Sequence, residues 1–566
     1  MGIQIPFMAT DGDVSQKPPP SRLGSRLPWR RWPVLPMLLL GLVGWFLVYY
    51  ATAWGPWAFS DAAGYITAAR NLVAGHGIGS FKPNGEFSPT TSHPPLYVLA
   101  IGLVSQLGIE PLEAARVTDI ILFGLLVSAG GLMVSRLLNS PWPGAAFSAL
   151  VLLHPALIIA YTSAMAEPPF ILLGFLSLLL VTMYSRGHRT RALLGASLCA
   201  GGALLSRYPG AAFVLTGAIS VLIWGGPGRA VRLRRAMAFA AVGGTPVGIF
   251  VLWATSMPGA EGPRALSERL EILPGLVRFG QSVGASVWSW KPFPPAVLLP
   301  DWLNAMAPSG LLKGGLAAAI ALALGWLGFQ TLRRLRGEPE LRLKSQPALQ
   351  LLLVLALFLG IYLGFFAAAY LVTNPTPDVD SRTMLPLLPA LLAIAVVFAH
   401  ITLRAWRDTR PLRLGWSAIL LVALAGYGII SQDIVVGLHR TGLGYTSREW
   451  RQSETIAAVR QLPSSIQLIS NEPYAVLLLI GRNPYPIAEI QQRQPAETFV
   501  PFGLGSSTSE RLFQEGKAAL VIFGTIHAEL QQLYGDQAEL RYANLLEGLY
   551  PSFVGSDGGI YWREAP

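Results

Sequence analysis

Residues 348–372 read ALQLLLVLALFLGIYLGFFAAAYLV and contain no charged side chain. At 1.5 Å per residue, a helix of this length exceeds the ~30 Å hydrocarbon core of a bilayer. Similar runs recur along the 566-residue chain, of which 52% is hydrophobic and only 13% is charged. A soluble globular chain carries about 25% charged residues. The sequence therefore predicts an α-helical polytopic membrane protein.

Apolar runs separated by short polar connections predict eleven transmembrane helices. The predicted spans are 33–53, 117–137, 143–162, 168–185, 192–206, 209–224, 237–256, 310–331, 348–372, 383–403 and 414–431. Residues 95–107 are also apolar, but they are too few to cross the hydrocarbon core. We therefore expect an interfacial or re-entrant segment there.

The distribution of charge predicts the orientation of these helices. Every second connection is rich in arginine, as in 186–191, 229–235 and 404–413, whereas the opposite connections carry acids. Cytoplasmic loops carry an excess of Lys and Arg, so we expect a cytoplasmic N-terminus. The net charge of +11 arises from these clusters and does not indicate nucleic acid as a partner.

The composition divides the chain into three parts. Residues 1–32 are polar and proline-rich, which predicts a disordered cytoplasmic tail. Residues 33–431 form the transmembrane unit, with a first outer loop at 54–116. Residues 432–566 alternate helical stretches with short strands, which predicts an extracytoplasmic α/β domain.

A candidate catalytic acid lies shortly after the first span, in Phe59-Ser60-Asp61-Ala62-Ala63-Gly64-Tyr65. Ser60 is a good N-cap residue, which places Asp61 in the first turn of a short helix. The N-terminus of a helix stabilises a carboxylate there. On spacing alone, an acid that only caps and solvates the helix is the more common interpretation of Asp61.

A second acid and three basic residues are further candidates on the same predicted face. Glu167 precedes Pro168 and is the only charged residue between Arg136 and Arg186; isolated acids at membrane depth suggest function. The basic candidates, which could contact lipid phosphate, are His93, Arg207 and Arg382. The alternatives are a polar residue at the bilayer surface for His93, and snorkelling or pairing with a nearby acid, such as Asp380 for Arg382.

Motifs of nucleotide and metal chemistry are absent from the sequence. It contains no P-loop, GxGxxG, HExxH or CxxC pattern, and its one cysteine is Cys199. Because the candidate residues are expected outside the cytoplasm, where nucleotide donors are lacking, an activated substrate should be carried by a lipid.

Several motifs resemble the GT-C superfamily of membrane glycosyltransferases. Ser60-Asp61-Ala62-Ala63-Gly64-Tyr65, Ala69-Arg70-Asn71-Leu72 and Gly75-His76-Gly77 resemble its first extracytoplasmic loop. His93-Pro94-Pro95-Leu96 resembles the His-Pro-Pro-Leu of protein O-mannosyltransferases and the Lys-Pro-Pro-Leu of lipid A aminoarabinose transferases. Glu167 matches the second acidic position, and Arg382 resembles a late arginine-rich segment of bacterial members.

The resemblance implies an inverting glycosyltransferase of the inner (plasma) membrane. It would move a sugar from a polyprenyl-phosphate donor to an acceptor hydroxyl on a glycan, lipid or protein. Asp61 would be the general base, and His93, Arg382 or Arg207 would stabilise the departing phosphate. Glu167 would orient the acceptor or Asp61, or help to bind a divalent metal, although the few clustered acids favour no obligatory metal.

Two other function classes are compatible with a polytopic membrane protein. The first is a transporter or flippase for lipid-linked saccharides, and the second is a noncatalytic scaffold whose outer domain binds glycan. Many transporters are built from repeats, and the sequence shows no internal repeat. A scaffold role leaves the shared face of Asp61 and Glu167 unexplained.

Overall fold

The computed structural model describes most of the chain. The described residues are 34–91, 93–257, 265–266, 272–292, 325–374, 376–487 and 507–564. The predicted tail 1–32 and most of the predicted span 310–331 lie outside them.

Helices dominate the described residues up to Thr441. In chain order they are α1 (Leu35–Ala51), α2 (Ser60–Val73), α3 (Leu96–Ser105), α4 (Pro111–Leu138), α5 (Pro141–Leu153), α6 (Pro155–Tyr161), α7 (Glu167–Gly187), α8 (Thr190–Ser206), α9 (Ala211–Trp224), α10 (Arg229–Ser256), α11 (Ile272–Ser289), α12 (Pro339–Val372), α13 (Leu387–Ala405) and α14 (Arg410–Thr441). A 3₁₀ turn, Tyr208–Gly210, joins α8 to α9, and residues 325–337 are also helical.

Within the described ranges, six helices are long and apolar enough to cross a bilayer, namely α4, α7, α10, α12, α13 and α14. Helices α5 and α6 are bent by 65° and would make a seventh span together. The bend follows from Pro155, which lacks an N–H and cannot continue a helix. Helices α1, α8 and α9 coincide with predicted spans but are shorter, so the total of eleven stays a prediction. Helix α3 has 10 residues, or about 15 Å, too short to span.

Glycines allow close packing of the first helices. A Cβ atom at Gly41 of α1 would lie 2.9 Å from the carbonyl oxygen of Gly124 in α4. A Cβ at Gly144 of α5 would lie only 2.3 Å from the carbonyl oxygen of Gly131 in α4. Small residues are typical of membrane helix interfaces because they let backbones approach. Larger side chains fill the core further along, including Phe147 of α5 stacked on Phe175 of α7.

The helix bundle has two distinct ends. At one end, Arg186 of α7 donates a 2.8 Å hydrogen bond to the carbonyl of Leu137 in α4, and Arg235 of α10 donates to the carbonyl of Gly225 after α9. The other end, which we call the site face, consists of the segments 52–59, 162–166, 207–210, 373–374 and 376–386. The arginine-rich connections and the candidate site residues therefore lie at opposite ends.

Helix α11 is a feature that the sequence analysis did not predict. Its apolar residues are interrupted by Arg278, Gln281 and glycines, so they form no continuous apolar run. The helix packs on α12, where the ring centroids of Phe279 and Tyr370 are 5.8 Å apart.

The chain after α14 contains a mixed β-sheet. Helix α14 continues to Thr441, ten residues beyond the predicted boundary at 431. The strands among the described residues are β1 (Gly79–Phe81), β2 (Phe87–Pro89), β3 (Ala265–Leu266), β4 (Thr373–Asn374), β5 (Gln467–Ser470), β6 (Tyr485–Pro486), β7 (Ala518–Phe523), β8 (Tyr550–Val554) and β9 (Gly558–Trp562). Strands β1 and β2 form a hairpin in the first outer loop, and β3 pairs with β4.

The last five strands form one sheet in the order β6-β5-β7-β9-β8. Strand β5 is parallel to β6 and β7, and the β7-β9-β8 part is antiparallel.

Candidate active site

Asp61 lies in the first turn of α2, as predicted. Phe59, in an extended conformation, is the N-cap residue, and Ser60, which we expected in that position, is the first helical residue. The helix ends at Val73, and Gly75 follows with φ +83°, a left-handed conformation that glycine adopts readily. Gly75 therefore lets the chain turn away just after the helix.

Backbone hydrogen bonds hold the segment before Asp61 against two other parts of the chain. The amide of Trp57 donates to the carbonyl of Thr162 at 2.7 Å, and its carbonyl accepts from Ala164 at 2.9 Å. On the other side, the amide of Tyr445 donates to the carbonyl of Ala58 at 2.8 Å. These contacts bring the start of α2 beside the start of α7 and the segment that leads into the C-terminal sheet.

Glu167 is the first residue of α7, and its side chain is only 3% exposed. Its Oε1 atom accepts hydrogen bonds from Nη1 of Arg207 and Nε of Arg382. Its Oε2 atom is buried without a hydrogen-bond partner among the described residues. Buried polar atoms are normally paired, so this oxygen is available for a polar group of a ligand.

Arg382 connects the two acids. Its Nη2 atom donates to Oδ2 of Asp61 at 2.9 Å while Nε donates to Glu167. The guanidinium also lies 5.3 Å from the ring centroid of Phe59, a cation–π distance. Burial lowers the pKa of Arg382, but the carboxylates of Glu167 and Asp61 outweigh it and hold the pKa above its usual range. We call Asp61, Glu167, Arg207 and Arg382 the charge cluster.

The turn around Arg382 differs from the sequence expectation in two respects. Arg382 lies in a turn before α13, which begins only at Leu387. Asp380, the partner in the alternative interpretation, instead accepts a 2.7 Å hydrogen bond from the amide of Thr383 and a 2.9 Å bond from the Thr383 hydroxyl. Asp380 therefore orders the turn that presents Arg382 to Asp61 and Glu167.

His93 lies one side chain away from the charge cluster. Its imidazole packs edge-on against the ring of Tyr65, with centroids 5.6 Å apart. Burial raises the pKa of Tyr65, and Glu167 and Asp61 add to this effect against the opposing charges of Arg207 and Arg382. Tyr65 therefore stays neutral and separates His93 from the acids.

Two residues that the sequence analysis missed lie behind Tyr65. The ring of Tyr97 is 5.5 Å from that of Tyr65, and the Tyr97 hydroxyl donates a 2.9 Å hydrogen bond to Oδ2 of Asp119. Asp119 is fully buried in α4. Its signal in the sequence is an acid within an otherwise apolar predicted span, which by itself suggests a function.

A cavity of about 390 Å³ adjoins the charge cluster. Most of its lining is apolar, including Trp57, Phe59 and Ile159, and the charged part consists of Glu167, Asp380 and Arg382. The cavity can accommodate an apolar group, with Arg382 as a cationic hydrogen-bond donor at its edge.

The charge cluster does not fit a divalent metal. Within the described ranges, no three His, Cys, Asp or Glu side chains are grouped as metal ligands. The Arg382 guanidinium lies between the carboxylates of Asp61 and Glu167, where its charge would repel a cation. We therefore derive no step through a metal.

Comparison with known proteins gives a family match and a fold match. Residues 92–253 match the profile of the family described as dolichyl-phosphate-mannose-protein mannosyltransferase. ArnT from Cupriavidus metallidurans superposes with a TM-score of 0.52 at 13% identity, in the apo state and bound to undecaprenyl phosphate. In both, the alignment covers 94% of this chain and 98% of ArnT. A second structure is the archaeal oligosaccharyltransferase AglB from Archaeoglobus fulgidus, in complex with an inhibitory peptide and a dolichol-phosphate. It matches with a TM-score of 0.47 at 12% identity, and the alignment covers 95% of this chain and 75% of AglB. No curated protein matches the chain in sequence.

The resemblance to GT-C glycosyltransferases is confirmed. The matched family segment contains His93, Glu167 and Arg207 but begins after Asp61. The ArnT fold spans the helix bundle together with the C-terminal sheet.

Proposed function

We propose that this protein is an inverting glycosyltransferase that moves a sugar from a polyprenyl phosphate to an acceptor hydroxyl, with Asp61 as general base. The observation that carries the proposal is the contact of one guanidinium, that of Arg382, with the carboxylates of both Asp61 and Glu167 beside a mainly apolar cavity. This arrangement combines a base, a fixed positive charge and an apolar surface within the width of one substrate.

The reaction is a single displacement at the anomeric carbon. A carboxylate oxygen of Asp61 accepts the proton of the acceptor hydroxyl while the hydroxyl oxygen bonds to the anomeric carbon. The bond between that carbon and the phosphate oxygen breaks, and the polyprenyl phosphate leaves with the electron pair. Asp61 is 36% exposed, so an acceptor can reach it from the aqueous side.

Arg382 supplies positive charge where the leaving phosphate develops negative charge. A preorganised charged donor stabilises a transition state because it needs no reorganisation during the reaction. Arg207 and His93 are further donors for the same phosphate. The family that matches residues 92–253 is that of dolichyl-phosphate-mannose-protein mannosyltransferase, and ArnT binds undecaprenyl phosphate. Both support a polyprenyl-phosphate donor here.

Glu167 has a positioning role in this mechanism. Its Oε1 atom holds Arg207 and Arg382 in place. Its unpartnered Oε2 atom is available to accept a hydrogen bond from a hydroxyl of the substrate.

Replacing the base tests the proposal most directly. We expect Asp61→Asn to lower sugar transfer by about 10²-fold or more while the protein still folds. The assay supplies membranes with a panel of undecaprenyl-phosphate-linked hexoses and pentoses and measures the release of undecaprenyl phosphate.

The matched control is Glu113→Gln, because Glu113 is an acid that pairs with Arg116 on α4. This variant should retain full transfer. If Asp61→Asn transferred sugar as fast as the wild type, Asp61 would not be the base. Movement of lipid-linked sugar across vesicles without any transfer would favour a flippase instead.

A further inference from the structure

A second cavity, of about 220 Å³, lies where the first outer loop meets the C-terminal sheet. One wall consists of the second half of α2 and the β1–β2 hairpin. The other wall consists of Ser464 and 466–468, which lead into and begin strand β5, and of Leu477 and 481–483, which lie in and just after the helix Pro473–Ile480. We call this cavity the junction cleft.

One hydrogen bond joins the two walls of the junction cleft, and a second one lies within the first wall. Asn483 donates from Nδ2 to the carbonyl of Phe81 at 2.8 Å, which ties the hairpin to the C-terminal part of the chain. Asn71 donates from Nδ2 to the carbonyl of Gly79 at 2.8 Å, which ties the same hairpin to α2. The cleft therefore has a defined shape.

An unpaired hydroxyl in the wall indicates a polar ligand. Thr67 lines the cleft, and its side-chain oxygen is buried without a hydrogen-bond partner among the described residues. The residue as a whole is only 8% exposed. Buried hydroxyls in folded proteins nearly always have a partner, and a ligand hydroxyl in the cleft would supply one.

The charges around the cleft are positive. Lys82 and Arg482 line it from opposite walls, and none of its lining residues is acidic. Lys82 has an exposed partner, Glu86, at 3.2 Å. Arg482 is fixed by donating to the carbonyls of Ile466 and Leu462. Two cations in one small cavity favour an anionic ligand.

An exposed aromatic ring completes the lining. Phe81 is 37% exposed and is supported edge-on by His76 and Phe87, each with ring centroids 5.2 Å away. An apolar ring beside a few polar groups is typical of sites that orient a small polar ligand. The apolar face of a sugar ring would fit on Phe81.

The cleft and the charge cluster are connected through α2. Thr67 and Asn71 follow Asp61 by six and ten residues on this helix, which corresponds to about 9 and 15 Å along its axis. An acceptor of several sugar units bound in the cleft would therefore reach Asp61.

We propose that the junction cleft binds the acceptor, and that this acceptor is an anionic glycan. Thr67 pairs with a sugar hydroxyl, Phe81 contacts an apolar sugar face, and Lys82 and Arg482 contact the anionic group. The role of the glycan as acceptor rests on the proposed transferase function, whereas its binding in the cleft does not depend on that function.

The test measures binding to the full-length protein in detergent by ligand-observed NMR. The probe is glucose 6-phosphate, with glucose and inorganic phosphate as comparators. We expect the wild type to bind glucose 6-phosphate more tightly than either comparator. Thr67→Val and Lys82→Gln should each weaken this binding about tenfold, the effect of losing one hydrogen bond to a charged or buried group.

Lys517→Gln is the matched control, since Lys517 pairs with Glu515 on the surface of the C-terminal part, and it should bind like the wild type. Equal binding of inorganic phosphate would reveal an anion site only and overturn the glycan assignment. No binding by the wild type, or binding that neither Thr67→Val nor Lys82→Gln weakens, would overturn the cleft as a site.

Asp61→Asn separates this inference from the proposed function. It should bind glucose 6-phosphate like the wild type, because Asp61 does not line the cleft. Transfer that survives Asp61→Asn would contradict Asp61 as base and leave the cleft intact. If transfer requires Asp61 but glucose 6-phosphate does not bind, the cleft is not a binding site and the assignment of Asp61 as base is unaffected.

Discussion

Helix α2 has an ion pair near each end, and the two pairs differ in their surroundings. At its start, Asp61 contacts Arg382, which also contacts the buried carboxylate of Glu167. Near its end, Arg70 contacts Glu110 at 2.7 Å, and these side chains are 29% and 48% exposed. Arg70 also donates to the carbonyl of Leu478 at 2.9 Å.

The difference shows which of these charges the fold constrains. An exposed pair contributes little to stability, because water solvates both partners when they separate. A buried carboxylate that loses its partner remains desolvated, so breaking such a pair is strongly unfavourable. The cluster at the start of α2 therefore keeps a fixed geometry. Near the end of α2, Arg70 joins the helix to Glu110 before α4 and, through the carbonyl of Leu478, to the C-terminal part of the chain.

The largest effect on stability is expected from Glu167→Gln. The substitution leaves Arg207 and Arg382 facing a neutral amide, which should lower the free energy of unfolding by about 3 kcal/mol. Thermal unfolding in detergent measures it, with Glu110→Gln as the matched variant at the exposed pair. If Glu167→Gln and Glu110→Gln had equal melting temperatures, the ion pairs at the two ends of α2 would not differ in their contribution to stability.

A smaller effect, on activity, is expected from Arg382→Lys. Lysine keeps the charge but lacks the planar fork that contacts Asp61 and Glu167 together. Misplacing a catalytic group in this way should lower transfer by about 10²-fold.

The control for that variant is Arg207→Lys. Arg207 contacts Glu167 through one nitrogen, so a lysine can replace it with less loss. If both lysine variants lost activity equally, the contact of the Arg382 guanidinium with both Asp61 and Glu167 would not explain the loss of transfer.

The smallest effect is expected from Arg70→Gln. The loss of an exposed ion pair should lower the free energy of unfolding by about 1 kcal/mol or less, and transfer should remain close to that of the wild type. A transfer assay together with a melting curve tests both statements. A loss of transfer as large as that of Asp61→Asn would show that the two ends of α2 act together.

Much of the helix bundle and part of the site followed from local patterns. The apolar runs match observed helices because a bilayer requires about 20 apolar residues per span. The positions of Asp61 at the start of α2 and Glu167 at the start of α7 followed from nearby capping and proline signals. Helix α11 was missed because its apolar residues are scattered, and Asp119 was missed because it lies inside a predicted span.

The sequence by itself determined a membrane protein whose acids and arginine-rich loops lie at opposite ends of its helices, since both features depend on hydrophobicity and local charge. Only the tertiary structure decided which charges meet. Arg382 contacts Asp61, 321 residues away, and Glu167, 215 residues away, and not the nearby Asp380. The walls of the junction cleft are tied by Asn483 and Phe81, 402 residues apart. Such contacts depend on how whole elements pack, which no local pattern specifies.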